Sequence, residues 1–140
     1  MRKMLVICLA LILASCSVND DSPNYSFDIL PVESVDIPET FTLGETYPIT
    51  VSYYQPSSCY SFSEFYYRKN DNERIVAPIN YVLEDDNCET LEDQLVEDTF
   101  NFIVTNSSDS YIFKFWQGED ADGEDQYLII EVPVVEEETN

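Results

Sequence analysis

The 140-residue sequence contains no histidine, only three glycines and only six basic residues. Without an imidazole, the chain lacks the usual proton shuttle near neutral pH and the commonest metal ligand. Three glycines exclude a Gly-rich phosphate loop, and no Gly-x-Gly or Gly-Lys-Ser/Thr motif occurs. No histidine can activate a serine nucleophile, and no Ser-x-x-Lys motif is present. We therefore expect a protein that is not an enzyme and has no cofactor. A hydrolase that uses carboxylates such as Glu64 is the enzymatic alternative.

The start of the chain has the composition of a signal peptide. Arg2 and Lys3 precede an apolar run, residues 4–14, that is too short to span a bilayer core of ~30 Å. Residues 13–16, Leu-Ala-Ser-Cys, resemble the bacterial lipobox. This resemblance implies cleavage before Cys16 and a diacylglycerol on its sulfur. A diacylglycerol carries two acyl chains, and two or more acyl chains hold a protein firmly on a membrane. An ordinary secretory signal followed by a stray cysteine is the alternative.

The residues after Cys16 are polar and acidic, which is typical of a flexible tether. Asp20 and Asp21 resemble the export signal that sends lipoproteins of Bacteroidota to the outer face of the outer membrane. The resemblance implies a lipid-anchored protein of a Gram-negative outer membrane that faces the cell exterior. A solvated linker with no export role is the alternative interpretation of the same two residues.

The charge of the chain is strongly negative. Removing residues 1–15 leaves four basic residues against 28 acidic residues, a formal charge of −24 for the mature protein. Such a surface repels nucleic acid and anionic membranes, and it favours solubility, cations or basic partners. We therefore expect a monomer that does not bind nucleic acid. An acidic inhibitor or immunity-type lipoprotein that blocks a basic enzyme is an alternative function.

Two cysteines remain in the mature chain once Cys8 leaves with the leader and Cys16 is lipidated. In an oxidising compartment Cys59 and Cys88 are expected to form a disulfide. Closing that loop stabilises the fold by roughly 3–4 kcal/mol in the chain-entropy model. The alternative, a two-cysteine metal site, lacks the further cysteine or histidine ligands that zinc normally takes.

Alternating apolar residues and frequent Tyr, Phe, Val, Ile and Thr predict β-strands separated by turns. A break at Pro31, a turn at 41–45, a turn at 69–72 and an acidic hairpin loop at 118–125 interrupt them. Residues 84–93 form an acidic connection. Leu91 and Leu95 are four positions apart, which allows one helical turn at its end. The predicted strands cover residues 25–30, 33–37, 46–54, 59–68, 74–83, 95–105, 111–116 and 127–135. This spacing predicts an all-β protein, a single β-sandwich of about seven strands.

Two details favour an immunoglobulin-like sandwich. Residues 43–46, Leu-Gly-Glu-Thr, resemble the start of the second strand in many bacterial Ig-like domains, and Tyr111 lies where a tyrosine corner would. From residue 41 to residue 135 the chain resembles small Ig-like lipoproteins of Bacteroidota. The segments that carry this likeness are residues 56–60, 113–118 and 131–134. The resemblance implies a fold and an anchor but no activity.

These patterns divide the chain into four parts. A signal peptide (1–15) is followed by the lipidated terminus and tether (16–24), the Ig-like sandwich (25–135) and a frayed acidic tail (136–140). Within the sandwich, strict alternation places Tyr60, Phe62 and Tyr66 opposite Phe65 and Tyr67.

The exposed aromatic residues are the candidates for a binding face. Tyr54, Tyr67 and Trp116 are expected to point outward, where they could stack on a glycan or form a protein contact. Alternatively, such residues merely cover their cross-strand neighbours. The predicted function is therefore non-catalytic contact with a protein or a glycan.

The acidic hairpin loop contains the one candidate metal site, formed by Asp120, Asp122 and Asp125. An EF-hand register does not fit, because it would place Gly118 and Ile129 at positions that need carboxylates. A looser calcium site and a solvated hairpin both remain compatible with the loop.

Overall fold

The computed structural model describes residues 24–105 and 109–135. These residues form nine strands and no helix, so none of their segments is a helix able to cross a membrane. The strands are β1 (Tyr25–Ile29), β2 (Val32–Asp36), β3 (Phe41–Thr42), β4 (Thr46–Tyr54), β5 (Tyr60–Asn70), β6 (Glu73–Leu83), β7 (Leu95–Ile103), β8 (Ser110–Glu119) and β9 (Asp125–Val135). The predicted all-β class is confirmed.

The strands form two sheets. The small sheet has the order β2-β4-β7, and the large sheet contains the other six strands. In the large sheet, β6 pairs with β5 along its whole length, and its opposite edge pairs with β8 and then with β1. Beyond β8 the large sheet continues through β9 to β3. Apolar side chains from both sheets form one buried core, as in a β-sandwich.

The structure has nine strands rather than about seven. The eight segments predicted as strands are all present, and the break at Pro31 separates β1 and β2 into different sheets, because β1 pairs with β6 whereas β2 pairs with β4. The ninth strand is β3. Phe41 and Thr42, predicted as part of a turn, pair in parallel with the end of β9. β6 and β8 are also parallel, which differs from the antiparallel sheets of an immunoglobulin sandwich.

The core is built from the faces of the two sheets that meet. On β4, Ile49, Val51 and Tyr53 are buried, as their alternation predicts. On β6 the buried inward positions are Arg74, Val76, Pro78 and Asn80. The alternate residues of β6 share the opposite side of the large sheet; these residues are Ile75, Ala77, Ile79, Tyr81 and Leu83.

A buried cation lies at one end of this core. Arg74 is only 2% exposed, and its Nη1 donates hydrogen bonds of 2.7 Å to the carbonyl oxygens of Asp71 and Glu73. Its guanidinium carbon lies 4.8 Å from the centre of the Tyr111 ring and 5.8 Å from that of Phe102. Carbonyl dipoles and π faces thus compensate the charge that burial would otherwise penalise.

A β-bulge in β5 changes which aromatic residues face the core. The pairing with β6 passes from Phe62 directly to Glu64, so Ser63 is the extra residue. After the bulge, Phe65 lies on the same face as Phe62, and their ring centres are 4.9 Å apart. The prediction that Phe65 and Tyr67 lie opposite Tyr60 and Phe62 was therefore wrong, because strict alternation holds only in a regular strand.

The disulfide between Cys59 and Cys88 is present, with a Cα–Cα distance of 5.5 Å. It joins the start of β5 to the acidic connection, residues 84–93. Hydrogen bonds also hold this segment, from the Ser58 amide to the Glu89 carbonyl (2.9 Å) and from the Leu91 amide to the Pro56 carbonyl (3.0 Å). The connection contains no helical turn; it is extended enough for Thr90 to form a bridge with Ser57.

Candidate binding face

The large sheet has one side against the core and one side, here called the outer face, that no element described in the structure covers. Large apolar side chains occupy this outer face. Phe27 is 62% exposed and Tyr25 is 60% exposed, although both belong to a regular strand. The other large apolar residues of the outer face are Ile29, Tyr66, Ile75, Ile79, Tyr81, Leu83, Trp116, Tyr127 and Ile129. A contiguous exposed apolar surface of this kind commonly marks an interaction site.

A cleft of about 420 Å³ opens on the outer face; we call it the aromatic cleft. Its apolar lining comes from Ile29, Ile75 and Ala77. Three aromatic residues and three charged residues complete it: Tyr66, Trp116, Tyr127, Arg68, Glu119 and Asp125. The lining thus combines aliphatic and aromatic side chains with charged groups, and both kinds of group occur in small-ligand sites.

The β8–β9 hairpin brings the key side chains of the cleft together. Trp116 and Tyr127 are direct cross-strand partners, which places them side by side on the outer face. The register then shifts, and Gly118 takes a positive φ of 98°. This irregularity brings Glu119 opposite Asp125 at the mouth of the hairpin.

Asp125 holds the two hairpin rings. Its Oδ1 accepts a hydrogen bond of 2.7 Å from Trp116 Nε1, and its Oδ2 accepts one of 3.3 Å from the Tyr127 hydroxyl. Burial and, after it, the charge of Asp125 and this hydrogen bond raise the pKa of Tyr127 above its ordinary value. Tyr127 therefore stays protonated to higher pH than a free tyrosine, which preserves its hydrogen bond to Asp125.

The rings of the aromatic cleft differ from those of the core in what they touch. Core rings pack against each other; Phe102, for example, lies 4.9 Å from Tyr111 and 5.1 Å from Phe113. Among residues 24–105 and 109–135, Tyr66, Trp116 and Tyr127 make no ring contact with another aromatic residue. Within the described residues, no other aromatic ring therefore occupies their faces.

The two cations of the outer face are not equivalent. Lys114 forms an ion pair of 2.7 Å with Glu73, and the hydrogen bond from Lys114 lowers the pKa of Glu73. Arg68 forms neither an ion pair nor a hydrogen bond with any side chain in the described part of the chain. The aromatic cleft thus contains an unpaired guanidinium with planar donors that can reach ligand oxygens.

A second depression, of about 340 Å³, lies on the same face; we call it the β1 patch. It is lined by Tyr25, Phe27, Ser63 and Tyr81. Phe27 and Tyr81 are cross-strand partners, and the Tyr25 and Phe27 rings meet edge to face at 5.7 Å. Because Ile29 of the aromatic cleft is the next outward residue of β1 after Phe27, the two depressions adjoin along this strand.

The three aromatic residues proposed from the sequence do not share one surface. Trp116 lines the aromatic cleft. Tyr67 is 45% exposed but leaves the outer face, because the bulge at Ser63 turns it toward the small sheet at the edge of the sandwich; its ring centre lies 6.1 Å from that of Phe100. Tyr54 ends β4 in the small sheet, opposite Leu95.

Sequence reasoning missed five aromatic or charged residues of the cleft: Tyr66, Arg68, Glu119, Tyr127, and Asp125 in its role toward Trp116. The acidic turn between β8 and β9 could have indicated that Trp116 and Tyr127 pair across a hairpin. Nothing local marks Tyr66 and Arg68, because their position depends on the bulge at Ser63.

The aspartates of the acidic hairpin loop serve the turn itself. Asp120 Oδ1 accepts hydrogen bonds from the backbone amides of Asp122 (2.9 Å) and Glu124 (3.0 Å). Asp125 points to Trp116 and Tyr127 instead. Within the described ranges, no three cysteine or acidic side chains lie close enough together to hold a metal ion.

The anchoring residues fall outside the described residues. Cys16, Asp20, Asp21, the signal peptide (1–15) and the acidic tail (136–140) therefore stay sequence predictions. Comparisons with protein-family models, with curated proteins and with solved structures gave no match.

Proposed function

We propose that this protein is a non-catalytic lipoprotein, held in the outer membrane through Cys16 and facing the cell exterior, that binds a glycan on its outer face. The aromatic cleft is the observation on which the proposal rests. A sugar ring has an apolar C–H face that stacks on aromatic rings, and its hydroxyls pair with carboxylates and guanidinium groups. Tyr66, Trp116 and Arg68 supply these two kinds of partner in one cleft.

The proposal assigns the carboxylates of the cleft to positioning and recognition rather than to hydrolysis. Glycosidases need one carboxyl group as acid and another as base or nucleophile. Both oxygens of Asp125 already accept hydrogen bonds, from Trp116 and Tyr127. That arrangement commits both oxygens of Asp125 to orienting the two rings. Incubation with oligosaccharides that bind should therefore release no reducing ends.

We further propose that the sandwich is a variant of the immunoglobulin-like architecture. The small sheet β2-β4-β7 and the β3-β9-β8 part of the large sheet support this class. The variation is at β6, which takes the place next to β8 in parallel and leaves β5 at the edge. An experimental structure that traces a different chain path through the two sheets would remove the immunoglobulin-like assignment but not the binding face.

The only tryptophan of the chain is Trp116, so intrinsic fluorescence reports directly on the aromatic cleft. We would screen the mature protein against a glycan array and titrate each hit by tryptophan emission and by calorimetry. Binding should shift the emission and protect Trp116 from acrylamide quenching. An array without hits, at protein concentrations up to about millimolar, would reject glycan binding.

A matched pair of tyrosines tests the location of the site. Tyr66 is 40% exposed in the aromatic cleft, and Tyr54 is 45% exposed in the small sheet. Tyr66→Ala should weaken glycan binding about tenfold, equivalent to ~1.4 kcal/mol, because a stacking surface is lost. Tyr54→Ala should leave the affinity unchanged. Equal effects of the two substitutions would show that the aromatic cleft is not the binding site.

The excess of acidic residues supports a second candidate, the inhibitor of a basic enzyme. The acidic connection is pinned to the sandwich by the disulfide and by hydrogen bonds, so its carboxylates are presented on an ordered segment. Such a contact should weaken steeply as salt is raised, whereas stacking on a neutral glycan should not. Pull-down from envelope extracts at low and high salt separates the two candidates.

A further inference from the structure

The aromatic cleft and the β1 patch lie on one face and share one strand, although neither is large. Tyr25, Phe27 and Ile29 alternate along the outer side of β1, and Ile29 lines the cleft while the other two line the patch. At a rise of about 3.3 Å per residue, the four steps from Tyr25 to Ile29 cover ~13 Å. Together the two depressions therefore extend over more length than one sugar ring occupies.

We infer that the outer face binds a neutral, linear glycan chain of several sugar units, with the aromatic cleft and the β1 patch as two subsites of one track. This inference rests on the proposed glycan-binding function and specifies its ligand. Both subsites offer ring faces together with hydroxyl groups, from Tyr66 and Tyr127 in the cleft and from Tyr25, Tyr81 and Ser63 in the patch.

The polar groups of the cleft favour a glycan over an apolar occupant. Arg68 has no partner among the described side chains, and Glu119 lies at the same site. An apolar peptide or an acyl chain would remove these groups from water without replacing their hydrogen bonds, which is costly. Sugar hydroxyls can accept from the guanidinium and donate to the carboxylate.

Charge selects a neutral chain. The acidic connection begins at Glu84, directly after Leu83, and the backbone amide of Glu84 donates to the carbonyl oxygen of Asn24 next to the β1 patch. This acidic segment therefore begins beside the end of the track at Tyr25. A polyanionic glycan would be repelled there, and a second copy of this acidic chain would be repelled over its whole surface.

Oligosaccharide length tests the inference. We would titrate the mature protein with malto-, cello-, manno- and xylo-oligosaccharides of two to six units, using Trp116 fluorescence and calorimetry. For the series that binds, affinity should rise at least about tenfold between the dimer and the hexamer, because only the longer chain reaches the β1 patch. A hexamer of galacturonic acid should bind more weakly than the neutral hexamers.

Phe27→Ala separates the two subsites. Because Phe27 is 62% exposed, its removal should leave the thermal midpoint nearly unchanged. It should lower the affinity for the hexamer to that for the dimer and leave the dimer unaffected, whereas Tyr66→Ala should weaken both. Tyr54→Ala is the matched control.

The outcomes distinguish the inference from the function on which it rests. If dimer and hexamer bind equally and Phe27→Ala has no effect, the two-subsite track is wrong while glycan binding at the cleft stands. If the galacturonic acid hexamer binds most tightly, the chain is not neutral. If no oligosaccharide binds, the proposed function fails together with the track.

Discussion

Removing the disulfide should destabilise the sandwich without changing its fold. We propose the double substitution Cys59→Ser with Cys88→Ser, which leaves no free thiol at either position. The two cysteines are 29 positions apart. Closing such a loop lowers the conformational entropy of the unfolded chain, which raises the free energy of unfolding by about 3.5 kcal/mol at 25 °C in the chain-entropy model. In the native state, the hydrogen bonds from Ser58 to Glu89 and from Leu91 to Pro56 remain available, so the acidic connection keeps its position.

We therefore expect the free energy of unfolding to fall by about 2–4 kcal/mol and the thermal midpoint by roughly 10 °C. Urea unfolding monitored by Trp116 fluorescence and by circular dichroism would measure both the midpoint and the m-value. The m-value should rise, because the unfolded chain becomes less compact once the cross-link is absent.

Reduced wild-type protein is the matched control, since it loses the same bond without a substitution. It should unfold at the same urea concentration as the double variant. A loss below about 1 kcal/mol would show that the hydrogen bonds alone order residues 84–93 and that the bridge adds little. Two free thiols found by alkylation of the unreduced mature protein would remove the premise altogether.

Three further predictions concern substitutions of one or two side chains. Tyr53→Phe should cost about 1–3 kcal/mol, because the buried Tyr53 hydroxyl donates a 2.6 Å hydrogen bond to Asp98. Burial and, after it, Asp98 raise the pKa of Tyr53. The stability that this shift contributes is present below the unfolded-state pKa of about 10 and is lost as pH rises above that value. In urea unfolding measured at increasing alkaline pH, the Tyr53→Phe variant should lack this loss. Cys16→Ala should move the protein out of the detergent phase, and unchanged partitioning would contradict lipidation. Asp20→Ala with Asp21→Ala should retain the protein inside the envelope, so protease added to whole cells should no longer digest it. Unchanged digestion would show that these two residues are only part of a linker.

Much of the secondary structure follows from local sequence. Alternation along residues 46–54 predicts a strand with Ile49, Val51 and Tyr53 inward, and the structure confirms it. The same reasoning holds for Phe113 and Phe115 in β8. These predictions succeed because a strand has a fixed period of two, so a one-sided apolar pattern defines one buried face.

Local pattern could not decide which side of a two-sided apolar strand faces the core. β6 has apolar residues on both sides, and its buried side includes Arg74 and Asn80 while Ile75 and Tyr81 face outward. The choice depends on partners distant in sequence, such as the Phe102 and Tyr111 rings that accommodate the Arg74 charge. No window of neighbouring residues contains that information.

The cleft was also a product of tertiary structure. A single extra residue, Ser63, reverses the faces of β5, so Tyr66 lies on the outer face and Tyr67 on the side of the small sheet. The parallel pairing of β6 with β8 then brings Trp116 onto the same face as Tyr66, although 50 positions separate them.

The all-β class, the cysteine pair and most strands can be predicted from the sequence, because each of these depends on composition or on neighbours a few residues apart. The pairing of the strands, the exposed side of the large sheet and the residues of the outer face follow only from the folded chain. Those features arise from register and packing between distant segments, where one inserted residue or one parallel pair changes which side chains meet.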